Sequence, residues 1–231
     1  MSELEKLLLP IKQEGTKIRV GWPLDGGYIC LDTLLKPEMK VLSFGVGPCI
    51  EFEKHVLNQY NAEVVCYDES VDIPEQVLSE FPRLSFHKQH VTKDNVNEIF
   101  DAYEGPLTVQ MDIEGAEFEF LESISDENLN KIESLILEFH FGWPMYVPIE
   151  KIKAGLKRLN SSHVCYHIHG NNHLQQFVPN TRVPMALECS YIRKDLSTGE
   201  EVDDAECPIE GLDFPNAPNI PDMKLNWWIS K

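Results

Sequence analysis

Lys40-Val41-Leu42-Ser43-Phe44-Gly45-Val46-Gly47-Pro48 is an apolar run of strand length that stops on two glycines and a proline. A nearly unbroken apolar run suits a strand covered on both faces, and glycine lets the backbone turn where a side chain would obstruct it. Outward from here the chain alternates. Residues 50–60 carry Ile50, Phe52, Val56, Leu57 and Tyr60 at helical spacing, and residues 62–67 form a second apolar run that stops on Asp68-Glu69. The same reading predicts a helix over 74–81, a strand over 84–88 and a helix over 94–102. A fourth strand over 107–111 leads into a helix over 114–124, then a strand over 134–139 and a helix over 149–159. The last two strands, 164–168 and 186–192, have no helix between them and suit an antiparallel edge hairpin. The pattern predicts an α/β fold, a doubly wound and mainly parallel sheet with helices on both faces.

Composition sets the limits around that sheet. The chain has 231 residues, 42% of them hydrophobic, with a formal net charge of −18. That is enough apolar material for one globular unit. Its expected parts are a cap or lid over 1–36, the sheet domain over 37–193 and an acidic, proline-rich wrap over 194–231. The wrap ends in Trp227-Trp228, expected to pack back on the domain. The charge argues against nucleic acid and against anionic membranes, both of which attract cationic faces. No apolar run approaches the roughly 20 residues of a membrane span. Leu7-Leu8-Leu9 is halted by Pro10 and lacks a basic flank, so no secretory signal is read and a cytoplasmic location is expected. Six cysteines without CxxC spacing are read as reduced, buried thiols.

Ligands of doubly wound sheets bind beyond the carboxyl ends of the strands. Gly45 and Gly47 there offer a backbone cradle, while Asp68, with Glu69 beside it, is placed to accept ribose hydroxyls. Ile50 stands where a dinucleotide fingerprint has its third small residue, and Pro48 removes an amide that a pyrophosphate would use. A nucleoside without phosphates fits better, and S-adenosylmethionine is the cofactor expected. Upstream, residues 21–28, with Gly27 and Tyr28, read either as a lid over that cofactor or as a hairpin turn.

The most distinctive segment is Met111-Asp112-Ile113-Glu114-Gly115-Ala116-Glu117, directly after the fourth strand. Glu114 and Glu117 are expected in the first helical turn, where the helix dipole favours an acid by about 0.3–1 kcal/mol. Asp112 is expected to face the ligand crevice. This segment, with Phe118-Glu119-Phe120-Leu121 after it, resembles the hallmark of FkbM-type S-adenosylmethionine-dependent methyltransferases. The resemblance runs over residues 40–192 and takes in Asp25-Gly26-Gly27-Tyr28 and Leu137-Glu138-Phe139-His140. It implies a class I methyltransferase fold, seven strands in the order 3-2-1-4-5-7-6 with the last antiparallel, and methyl transfer to a hydroxyl of a small molecule, often a sugar. It also implies that His90, just past the third strand, lies near the adenine. Ser43 departs from the family pattern, which has an acid two positions before the first glycine; another carboxylate would have to substitute.

Methyl transfer to a hydroxyl needs the acceptor oxygen in line with the methyl carbon and a group that takes or weakens its proton. The candidates are Asp112, Glu138, His140 and His169 at the ends of strands four to six. In one reading His140 is the general base, supported by Asp112 or Glu138. In the other, Asp112 and Glu138 hold Mg²⁺, or Mn²⁺ if a histidine joins them, and a histidine still takes the proton. His55, His87, His163 and His167 are read as structural. An aromatic loop over 141–146 offers a platform for a sugar face or simple packing. Two rival functions stand beside the methyltransferase: a nicotinamide-dependent oxidoreductase, and a binding module that keeps the fold without the chemistry.

Overall fold

The computed structural model describes residues 1–142 and 147–229. A short helix α1 (Glu3–Leu7) precedes a hairpin of β1 (Lys17–Gly21) and β2 (Gly27–Leu31). There follow β3 (Lys40–Phe44), α2 (Glu51–Tyr60), β4 (Glu63–Tyr67), α3 (Glu75–Glu80), β5 (Leu84–His87) and α4 (Val96–Asp101). The second half holds β6 (Leu107–Met111), α5 (Glu117–Ser123), α6 (Asp126–Asn130), β7 (Ile132–His140), α7 (Ile149–Ser162), β8 (His163–Gly170) and β9 (Ala186–Arg193).

The main sheet runs β5-β4-β3-β6-β7-β9-β8. Counted from β3 this is 3-2-1-4-5-7-6, with β9 antiparallel to both neighbours, the order that the family resemblance implies. The chain switches direction between β3 and β6, which pair in parallel from Lys40↔Leu107 to Phe44↔Met111. A crevice must open at that switch, because the connections from β3 and β6 leave to opposite faces of the sheet. The faces are covered as the apolar spacing requires. Phe52, Val56 and Leu57 of α2 bury with the hairpin on one side, and Phe118, Leu121, Ile152, Leu156 and Leu159 of α5 and α7 on the other.

Two sequence expectations shift here. The helix predicted from residue 114 begins at Glu117, because Glu114 (φ 54°) and Gly115 (φ 105°) form a left-handed turn first. Glu114 therefore lies outside the helix, beyond the reach of its dipole. Residues 21–28 are a hairpin turn, with Gly21 paired to Gly27. Gly27 is required because a Cβ there would meet the Trp22 carbonyl oxygen at 1.9 Å. The tail runs back over the domain: Cys207, Leu225, Trp227 and Trp228 are buried, and the Trp227 indole N–H donates to the Glu5 carbonyl. No described helix is long and apolar enough to cross a membrane. Most of the aromatic loop over 141–146, residues 143–146, lies outside the described residues.

Candidate functional site

Two cavities meet at the switch point. The first, about 420 Å³, lies under the loop after β3 and takes in Gly45, Gly47, Asp68, Glu69, His90 and Gln110. The second, about 450 Å³, is bounded by Glu138, His140, Asn171, His173, Leu174 and Ala186. Asp25, Asp112 and Glu114 border both, so the chambers share a wall of carboxylates.

The first chamber is shaped by close backbone approach. A Cβ on Gly45 would stand 1.7 Å from the Asp112 carbonyl oxygen, so only glycine lets β3 and β6 diverge here. Gly47 has φ 55° and open space around it, and its N–H donates to Asp68 Oδ2 at 3.0 Å. Asp68 Oδ1 accepts from the Ser70 N–H and hydroxyl and from the Val71 N–H. Burial pushes this carboxyl up, but those bonds outweigh it and hold the pKa below the ordinary value. Asp68 thus braces the glycine loop with one oxygen and its own following loop with the other, and is less free for a ribose than the sequence suggested. Glu69, exposed beside it and facing His90 at 3.7 Å, is the unengaged carboxylate. From the hairpin it is Asp25, Gly26 and Tyr28 that border the chamber, while Gly27 packs behind them.

Ser43 is fully buried and does not face the cavity. Its hydroxyl lies 2.5 Å from Glu53 Oε1 and 2.6 Å from Gln110 Oε1, and the Gln110 amide donates to the Tyr28 hydroxyl. The hydroxyl donates to Glu53 Oε1 and stands within hydrogen-bond distance of the Gln110 amide, so the three side chains form one buried polar cluster. Burial pushes Glu53 up to about 7, against the opposing bond from Ser43. The carboxyl missing from position 43 therefore arrives from α2 and borders the first chamber. The signal was present in the sequence: Glu53 falls on the apolar stripe of Ile50, Val56, Leu57 and Tyr60.

The second chamber centres on His140. Its Nδ1 lies 3.1 Å from Glu117 Oε1, and its backbone N–H points at Glu117 Oε2. Glu117 is wholly buried and also accepts from the Gly115 N–H. Glu117 stands in the first turn of α5 as expected, but it is buried, and it is this carboxylate, in place of Asp112 or Glu138, that orients the histidine. The Nε2 edge faces Glu114 at 3.5 Å, Glu138 at 3.8 Å and Asp112 at 3.9 Å. Burial works against charge on His140, but Glu117 and then Asp112 and Glu114 prevail, and its pKa lies above the ordinary value. Burial likewise pushes Asp112 up to about 7, and pushes Glu138 well up with help from Asp112 and Glu188. Asn171 donates to Glu138 Oε1 at 2.7 Å and fixes that side chain.

His169 is elsewhere. It is buried behind β9, with Nδ1 on Glu188 at 2.9 Å and Nε2 on Asp222 at 3.1 Å, and borders neither chamber. Both nitrogens are engaged, so the catalytic expectation for it has no geometry behind it. His163 and His167 are packing residues, bonded to the Ile132 carbonyl and to Asp213.

No family model and no curated protein matches the chain. Solved structures with a similar course include the fibrillarin pre-rRNA processing protein of Methanococcus jannaschii, at 12% identity over 69% of this chain and 68% of that one, with a TM-score of 0.44. A TehB-like SAM-dependent methyltransferase from Corynebacterium glutamicum is 12% identical over 71% and 84% of the two chains, with a TM-score of 0.40. A precorrin-6y C5,15-methyltransferase from Geobacter metallireducens is 9% identical over 68% and 80%, with a TM-score of 0.39. At these values they resemble the chain in overall course and lend it no residue roles.

Proposed function

We propose that this chain is an S-adenosylmethionine-dependent O-methyltransferase acting on a hydroxyl of a sugar or similar polyhydroxylated small molecule, in keeping with its FkbM-like motifs. The observation that carries the reading is the junction: a nucleoside-sized chamber and a second polar chamber share Asp25, Asp112 and Glu114 at the switch point of the sheet. The residues of the first chamber fit the cofactor. The Gly45–Gly47 turn gives a side-chain-free approach, Glu69 suits a ribose diol, His90 is placed for the base, and the shared carboxylates suit a sulfonium.

Bound there, S-adenosylmethionine supplies an electrophilic methyl group on a cationic sulfur. The chain's part is to hold the acceptor oxygen in line and to receive its proton as the carbon–oxygen bond forms and sulfur keeps its electron pair. His140 is the group in position, oriented by Glu117. Acting alone as base, it must first be neutral; its raised pKa then makes the rate climb with pH until that pKa is passed.

Titration calorimetry of the full chain with S-adenosylhomocysteine tests the cofactor assignment. One site per chain, weakened in Glu69→Ala, is expected. Absence of heat with and without a panel of sugars, or a preference for NAD, overturns the reading.

A further inference from the structure

We propose that the second chamber is a divalent-cation site, with His140, Asp112 and Glu114 as ligands and Glu138 closing it. Three independent features of the chain converge on that ion. First, Glu117 accepts the Nδ1–H of His140, which fixes the tautomer and leaves the Nε2 lone pair pointing into the chamber. A buried carboxylate on the far nitrogen is the usual outer partner of a metal-bound imidazole. Second, that lone pair faces three carboxylate oxygens at 3.5, 3.8 and 3.9 Å. These are too long for hydrogen bonds. They match the spacing of two ligands on one ion, since bonds of about 2.1 Å set at about 90–140° put ligand atoms about 3–3.9 Å apart. Third, Asp112 Oδ1 is buried without any hydrogen-bond partner among the described residues. A buried oxygen without a partner is completed by a proton or by a cation, and of the two only a cation joins the imidazole and the carboxylates at these spacings.

The backbone supports the same conclusion. Glu114 has φ 54°, a left-handed conformation that glutamate seldom adopts, and the turn through Gly115 is what brings its carboxylate back over His140. The other group of metal-type side chains, His167, Cys207 and Asp213, differs on each point. His167 Nε2 and Asp213 Oδ1 are already hydrogen-bonded at 2.9 Å, and none of the three borders either chamber.

One imidazole with two or three carboxylates suits Mn²⁺, Fe²⁺ or Zn²⁺ better than Mg²⁺ or Ca²⁺, which prefer oxygen alone. The binding site stands on this chain's geometry alone. Its use rests on the methyltransferase reading: the ion would draw charge from an acceptor hydroxyl, and with both His140 nitrogens then engaged the proton would pass to a carboxylate of the chamber in place of His140.

The test is titration of chelator-stripped full chain with MnCl₂, followed by calorimetry and by loss of the free-Mn²⁺ electron paramagnetic resonance signal, with S-adenosylhomocysteine titrated in parallel. One Mn²⁺ per chain is expected, displaced by Zn²⁺ but not by equal Mg²⁺. His140→Ala and Glu117→Gln should each weaken binding by about 10-fold or more. Glu114→Gln, a change at an exposed side chain that folding does not need, should weaken it several-fold. No Mn²⁺ or Zn²⁺ binding, or equal binding by wild type and the Glu114 and His140 variants, overturns the inference. S-adenosylhomocysteine binding without metal binding refutes the cation site alone; metal binding without it refutes the cofactor assignment alone.

Discussion

His140 ends β7 and His169 stands one residue before the end of β8 in the same sheet; both are buried, and both are ringed by carboxylates. They differ in what the second ring nitrogen meets. His169 is closed: Glu188 takes one nitrogen and Asp222 from the tail takes the other, at hydrogen-bond distance. His140 is closed on Nδ1 only, and its Nε2 looks across a cavity at three carboxylates that stand too far away to bond. A finished ion pair is a structural tie, whereas an unfinished one is a binding site. Residue type and spacing alone could not separate them; the presence of a partner at bonding distance does.

The largest expected effect tests the closed member. His169→Ala leaves Glu188 and Asp222 without their cation and should destabilise the fold by about 3–5 kcal/mol. The pH dependence has a definite sign. Burial opposes charge on His169, but the bonds from Asp222 and Glu188 overcome it and raise its pKa to about 10. A raised folded pKa stabilises fully below the unfolded value near 6.5 and loses that contribution as pH climbs toward about 10. Thermal denaturation should therefore show a wild-type Tm that declines over that interval, and a His169→Ala Tm with much less of the decline. A variant that keeps its Tm but loses activity would erase the distinction between the two histidines.

His140→Ala tests the open member. Turnover should fall about 100-fold or more, as the proton-handling group or metal ligand is lost. Its Tm should also fall, because the buried Glu117 loses its partner, but by less than that of His169→Ala, which strips two carboxylates of theirs. Glu117→Gln sharpens the contrast: the amide oxygen can still accept Nδ1–H, but the charge that supports the imidazole is gone. A loss of about 10-fold in rate with little change in S-adenosylhomocysteine affinity is expected. A loss in cofactor affinity alone would mean that Glu117 serves the first chamber instead.

The sheet was legible in the sequence because strand-length apolar runs and helical stripes reflect burial, and burial decides both. The strand order came from the resemblance to a family, and the pairings bear it out. That Asp112, Glu138 and His140 border one chamber was legible because they stand at or just past the carboxyl ends of strands. Glu117 was not, since a left-handed turn at Glu114 and Gly115 separates it from the strand and aims it back at β7. Nothing local in Ile-Glu-Gly-Ala-Glu distinguishes that turn from a first helical turn. Asp68 was legible by position but not by occupancy: its bonds to Gly47, Ser70 and Val71 depend on how the loop folds over it. His169 misled for the opposite reason, because its second partner, Asp222, lies 53 residues away in the tail.

Glu53 extends the comparison to a buried carboxyl that has no histidine at all. With no cation beside it among the described residues, it lowers its cost by keeping a proton, against the pull of the Ser43 hydroxyl that donates to it. Burial raises its pKa to about 7 from an ordinary 4.5. Between those values the folded chain holds a proton that the unfolded chain has released, so stability falls as pH rises through the interval and stays reduced above it. Glu53→Gln mimics the protonated acid, since its amide oxygen can still accept from Ser43 and it has no proton to lose. The variant should match wild type near pH 4.5 and exceed it at pH 8 by about 1 kcal/mol or more, a Tm gain of about 2–4 °C. Equal Tm values at both pH values would mean that Glu53 is ionised in the fold. An unmatched buried anion would then sit under the first chamber as well, and the contrast between finished and unfinished charge sites would have to include it among the unfinished.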